Sequence, residues 1–175
     1  LPVSSRSRIT VLASSPGHLV ASVGPVLVVL WKQQMQPEVC RQLYDLAERL
    51  SRSVGSKVSA VSMIQHTEGA PSAEARDALN SLHEDPKGVM HRVAVVFPRT
   101  GFIAATMRSI LLGMAQRASR RAGPSVFGTL GEALTWAGEG LPGALVLQAS
   151  AAAVARELES LPLSVPPPSA TRPRG

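Results

Sequence analysis

Two stretches dense in β-branched apolar residues restrict this chain most: Val-Leu-Val-Val-Leu-Trp at 26–31 and His-Arg-Val-Ala-Val-Val-Phe at 91–97. A strand that is apolar at nearly every position has no face to give to water and must be covered on both sides. That is the habit of strands in parallel sheets, whose crossover helices lie on the faces. The segments after these runs have helical periodicity. Pro37 suits the first position of a helix and Glu38 its positive end. Val39, Leu43, Leu46, Ala47, Leu50 and Val54 then fall on one stripe, and Gly55 is placed to cap it.

The other elements follow from the same signals. His18 to Val23, separated from the run at 26–31 by Gly24-Pro25, predicts an antiparallel hairpin. Residues 57–64 alternate and predict a strand. Ser72 is a good N-cap for a helix carrying Ala75, Ala78, Leu79 and Leu82, which ends at Glu-Asp-Pro-Lys-Gly, 84–88. Thr100 caps a long helix over 100–119 with the stripe Ile103, Met107, Ile110, Leu111, Met114 and Ala118. A short strand at 125–128 leads to a helix carrying Leu130, Ala133, Leu134 and Ala137. A further Ala-rich helix runs from 144 to 161. Its small side chains bury little area, and a weak docking is expected.

Strands alternating with helices predict an α/β fold with a mostly parallel sheet. The first seventeen residues, with five serines, Arg6 and Arg8 and only a short apolar patch at 9–13, are expected to form a disordered leader. The Pro- and Arg-containing stretch 162–175 is expected to be a disordered tail. The domain proper is then 18–139, with the helix 140–161 appended.

Composition removes several chemistries. One cysteine, Cys40, excludes a disulfide framework and a thiolate metal site, and beside the first helix's apolar stripe it serves as a small filler. The four histidines (His18, His66, His83, His91) show no i, i+4 pair. No phosphate loop, nucleophile elbow or dinucleotide fingerprint is present, so neither an enzyme, a metal nor a cofactor is expected. The formal charge of +6 invites a nucleic-acid reading. Arg6, Arg8, Arg172 and Arg174 lie at the ends, however, and the other fourteen basic residues stand against twelve acidic ones. The six aromatics interleave with no basic run, so nucleic-acid binding is not expected. The apolar run 19–31 is too short and too interrupted to span a membrane, and a cytoplasmic protein is expected.

Four pieces resemble the STAS-like superfamily (sulfate transporter and anti-sigma-factor antagonist), in particular its SpoIIAA-like branch. They are the strand 26–31 feeding a Pro-Glu helix start, Pro-Ser-Ala-Glu-Ala-Arg-Asp-Ala-Leu at 71–79, the strand 91–97 before a long helix, and Val-Phe-Gly-Thr-Leu-Gly-Glu-Ala-Leu-Thr-Trp at 126–136. The resemblance covers roughly 18–139. It implies a mixed, mostly parallel sheet of four to five strands with an N-terminal hairpin and helices mainly on one face. It also implies a non-catalytic domain that regulates or scaffolds by protein contact, with a kinase or anti-sigma-like factor as the kind of partner, and a homodimer as one arrangement.

In the anti-sigma-factor antagonists a Ser or Thr at the start of the second helix is phosphorylated, and the phosphate blocks partner binding. The matching position is Ser72, with Thr67 in the preceding loop as second candidate. The family's Asp-Ser-Gly-type turn is replaced by Gln-His-Thr-Glu-Gly-Ala-Pro-Ser at 65–72, and Ser72 reads first as an unmodified N-cap. His66 and Glu68 join Ser72 and Thr67 in the best polar cluster of the chain, with Arg76 one turn into the helix. Arg108, Arg117, Arg120 and Arg121 form a candidate patch for an acidic partner, read first as a solvated helix end. The alternative function is a small-ligand or lipid-binding module with a pocket between the 100–119 helix and the sheet.

Overall fold

The computed structural model describes residues 9–65, 72–97, 109 and 124–162. They form an α/β fold around one six-stranded mixed sheet: β1 (Ile9–Ser15), β2 (His18–Val23), β3 (Val26–Trp31), β4 (Val58–Ile64), β5 (Met90–Val96) and β6 (Ser125–Phe127). Four described helices accompany it: α1 (Pro37–Val54), α2 (Ala73–Glu84), α3 (Leu130–Gly138) and α4 (Leu145–Ser160). The strands lie side by side in chain order. β1, β2 and β3 pair antiparallel, and β3 through β6 pair parallel. The antiparallel half needs only tight turns, whereas each parallel step needs a crossover.

β3 sits where the two halves meet, and all six of its residues are buried. Val26, Val28 and Leu30 point into a core shared with α3 and α4. Leu27, Val29 and Trp31 point into a second core shared with α1 and α2. Helices therefore cover both faces, which corrects the expectation of helices mainly on one face. Period-2 alternation along a continuously apolar strand gives each face its own apolar set, and each set needs its own cover.

Two further expectations change. The sheet has six strands instead of four to five, because Ile9–Ser15 is β1 and not part of a disordered leader. Ile9 and Val11 pack against the α3–α4 core while Thr10 and Leu12 stay exposed. One apolar face is enough for an edge strand, and Pro16-Gly17 closes the hairpin to β2. The last helix is also more than an appendage: Leu147, Val154 and Leu158 in α4 are at most 1% exposed. The small residues that bury little area by themselves let α4 approach closely, with Ala152 against Gly131 of α3.

The remaining described elements stand where the periodicity predicts them, and the helix expected over 100–119 lies, apart from residue 109, outside the described residues. Gly55 takes a left-handed conformation (φ 68°) and donates its N–H to the Ser51 carbonyl at 2.9 Å, ending α1. Thr129 caps α3, its hydroxyl accepting from the Glu132 N–H. Buried Ser59 of β4 donates to the Ala137 carbonyl at 2.7 Å, fastening α3 to the sheet.

Candidate functional site

The parallel strands β3, β4 and β5 end on one edge, and α/β proteins place ligands and partners at that carboxyl edge. Chain geometry here is set by the β1–β2 turn, which returns to the same edge. The Gly17 carbonyl accepts from the N–H of Lys32 at 2.9 Å and of Gln33 at 3.1 Å. These two bonds pin the segment that leaves β3 for α1. Gly17 is buried, and a Cβ there would stand 3.0 Å from Gln33 Oε1, so a larger residue would displace the flexible end of the Gln33 side chain.

Between this segment and the start of α2 lies an open cleft of about 590 Å³, lined by Gln33, Gln34, Met35, Gln36, Pro37, Ser72 and Glu74. Two helix N-termini border it. Gln36 occupies the N-cap position of α1 without a side-chain cap bond, and Pro37 follows. Ser72 caps α2: its hydroxyl accepts from the Ala75 N–H at 3.1 Å, and its carbonyl from the Arg76 N–H at 3.0 Å. The lining is amide, hydroxyl and thioether with one carboxylate, and Glu38 adds a second acidic side chain in the first turn of α1. Such a surface hydrogen-bonds well in both directions, and among the described residues it contains no paired nucleophile and base.

At the same carboxyl edge is a polar cluster that the sequence patterns did not single out. Trp31 is fully buried, and its Nε1–H donates to Ser62 Oγ at 2.9 Å. His18 lies 5.9 Å from Trp31, ring to ring, and its Nδ1 is 2.8 Å from Ser15 Oγ. Burial holds the His18 pKa below its ordinary value, because the protonated ring loses more hydration than the neutral one. Gln65 donates its backbone N–H to the Trp31 carbonyl, and its side-chain Oε1 is buried with no hydrogen-bond partner among the described residues. The β2–β3 register, His18 opposite Trp31, brings these residues together, and it follows from the length of the Gly24-Pro25 hairpin.

Of the predicted site residues, Ser72 is exposed at the rim of the cleft, and Arg76 is half-buried one turn along α2. His66, Thr67 and Glu68 lie outside the described residues, as do Arg108, Arg117, Arg120 and Arg121 and the pocket expected under the 100–119 helix. The structure joins Ser72 to Glu74 and the three glutamines.

Other polar groups hold the fold together. The Arg92 guanidinium stacks 4.7 Å from the Trp136 ring centre, pairs with Glu139 at 2.8 Å and donates to the Trp136 carbonyl. His91 Nε2 stands 3.0 Å from the Glu139 carbonyl oxygen. Both contacts lash β5 to the end of α3. Cys40 is fully buried, and desolvation pushes its thiol up to about 11. Among the described residues no three His, Cys, Asp or Glu side chains are placed to hold a metal, and no helix is long and apolar enough to cross a membrane.

The fold and its carboxyl-edge cleft define an α/β protein with a mixed sheet. No family model, curated protein or solved structure matches the chain.

Proposed function

We propose that this chain is a non-catalytic, STAS-like protein-interaction domain, cytoplasmic in location, which regulates or scaffolds through the carboxyl-edge face around Ser72. The observation that carries the reading is the cleft itself. It is open, bordered by two helix starts, and lined mostly by uncharged hydrogen-bonding side chains, with one carboxylate, Glu74, and an exposed serine on its rim. A partner segment laid along it finds amide donors and acceptors from Gln33, Gln34 and Gln36 and apolar footing on half-buried Pro37, with Met35 buried in the core below.

Charge at Ser72 controls the contact. A phosphate there gains from the positive end of α2, and α2 keeps its cap. The added charge also joins Glu74 on the lining of the cleft, so the face becomes more acidic. An acidic or apolar partner segment is then repelled.

The test uses two substitutions that separate the cap from the charge. Ser72→Asp keeps an N-cap of equal quality and adds charge. Ser72→Ala removes the cap at a cost of about 1 kcal/mol and adds none. Affinity capture from the native cell, with quantitative mass spectrometry, should recover the same protein with wild type and Ser72→Ala and lose it at least tenfold with Ser72→Asp. Equal recovery with all three, or nothing above background with any, refutes the proposal.

A further inference from the structure

Ser22 interrupts the apolar run of β2 and is only 7% exposed, yet its hydroxyl bonds to no group among the described residues. Side-chain hydroxyls buried this far ordinarily have a partner. Val20, two residues earlier, packs into the α1–α2 core, and the period of two puts Ser22 on the same face of the sheet. There it lines an open groove of about 560 Å³ between β1–β2 and α1. Thr10, its cross-strand neighbour in β1, lines the groove beside it.

The groove has a polar end and an apolar one. β1 runs in the direction of β3, and α1 returns the chain against that direction to the start of β4. Thr10 and Ser53 therefore lie toward one end with Ser22, whereas Leu12 and Leu46 lie toward the other. Leu50 and Arg49 stand between them on α1. The Arg49 side chain is exposed, and its Nε donates to the Asp45 carbonyl at 3.4 Å. Arg41 and Arg52 of the same helix are each paired with a glutamate, but among the described residues no carboxylate pairs with Arg49.

We propose that this groove binds a small monocarboxylate with an apolar body, an acyl or aryl acid, its carboxylate at the Arg49 guanidinium and the Ser22 hydroxyl and its body along Leu12, Leu46 and Leu50. Charge complementarity selects the head. A single guanidinium holds a carboxylate through two parallel N–H bonds, and the serine hydroxyl adds a third donor. A cationic head would meet Arg49, and a wholly apolar molecule would cover Ser22 without giving it a partner. The volume is that of a small-molecule site. Because the groove is open, part of the ligand stays in water and the affinity is modest. The proposal does not rest on the Ser72 reading: that cleft meets α1 only at its first residue, Pro37, and the groove only from Leu46 onward.

Titration of the isotope-labelled full chain with sodium octanoate, followed by amide NMR, tests this. Saturable shifts at Thr10, Ser22, Leu50 and Ser53 are expected, with a Kd on the order of 1 mM. Arg49→Gln, at an exposed position, should weaken octanoate about tenfold, and Ser22→Ala about threefold. Octylamine, with the same body and a cationic head, should not saturate the site. No saturable shift at these residues up to about 10 mM octanoate, undiminished affinity in either variant, or equal binding of octylamine overturns the proposal.

Discussion

Asp85 gives the sharpest prediction about what holds the fold. It sits between α2 and β5, 3% exposed, with a positive φ of 40°. Its Oδ1 accepts from the Val89 N–H at 2.8 Å and the Tyr44 hydroxyl at 3.2 Å, and its Oδ2 from the Met90 N–H at 3.1 Å. Tyr44 Oη in turn accepts from the Lys87 N–H at 3.1 Å. One carboxylate thus satisfies the start of β5 and ties it to α1. Asp85→Asn keeps the shape and the tolerance for positive φ, but its amide nitrogen must replace one oxygen and face a backbone N–H. The better orientation loses the Met90 bond and the charge on the others, which costs about 1–3 kcal/mol. Asp85→Ala loses at least these three bonds and sets an alanine at positive φ. Relief from burying a carboxylate offsets part of this, and the net cost is about 3–5 kcal/mol. Urea unfolding should show both losses at unchanged slope, with the alanine midpoint lower by roughly 1.5–2.5 M at a slope of about 2 kcal/mol per M. Tyr44→Phe should cost about 1 kcal/mol alone and much less on top of Asp85→Ala. An alanine variant within about 1 kcal/mol of wild type, or less damaging than the asparagine, would refute the reasoning.

Leu158 is fully buried where α4 meets the α3–α4 core. Leu158→Ala should cost about 2–5 kcal/mol, read by urea unfolding, whereas a loosely docked helix would lose under about 1 kcal/mol. The Cys40 thiol, raised to about 11 and fully buried, should resist a thiol reagent at pH 8 until urea unfolds the chain; prompt labelling of the folded protein contradicts the packing. His18 has a folded pKa below its ordinary 6.5, so on acidification the unfolded chain takes up this proton first. The stability it contributes is complete above about pH 7.5 and falls as pH drops through about 6.5, levelling off below the folded pKa. His18→Gln should remove that part of the slope between pH 7.5 and 5.5, and parallel curves for the two proteins would rule it out.

Local pattern made most of the elements readable. The stripe from Val39 to Val54 with Pro37 and Gly55 at its ends gives α1 as observed, and Gly24-Pro25 between two apolar runs gives the β2–β3 hairpin. β1 carries the same kind of signal, a β-branched alternation followed by Pro16-Gly17. It is obscured by the polar, arginine-bearing residues before it and by the bulge at Leu12, which breaks the period of two. The face on which each helix packs is not written in helical periodicity, which shows a stripe and not its direction. The six consecutive apolar residues of β3 are what require cover on both sides. At the site, Ser72 is legible because capping is local. The convergence of Ser72 with Gln33, Gln34 and Gln36 is not, since it depends on where two crossovers bring loops together. Asp85 reads as an ordinary helix breaker because its three donors become neighbours only when β5 joins the sheet.

Site-directed photo-crosslinking tests the central claim, that the Ser72 face is where a partner binds. A photoreactive residue at Gln36, exposed on the cleft, is compared in the native cell with one at Arg156, exposed on α4 across the sheet. Crosslinks to another protein from Gln36, absent from Arg156 and abolished when Ser72→Asp is added, are the predicted result. Crosslinks from Arg156 with none from Gln36, or Gln36 crosslinks unchanged by Ser72→Asp, would contradict it.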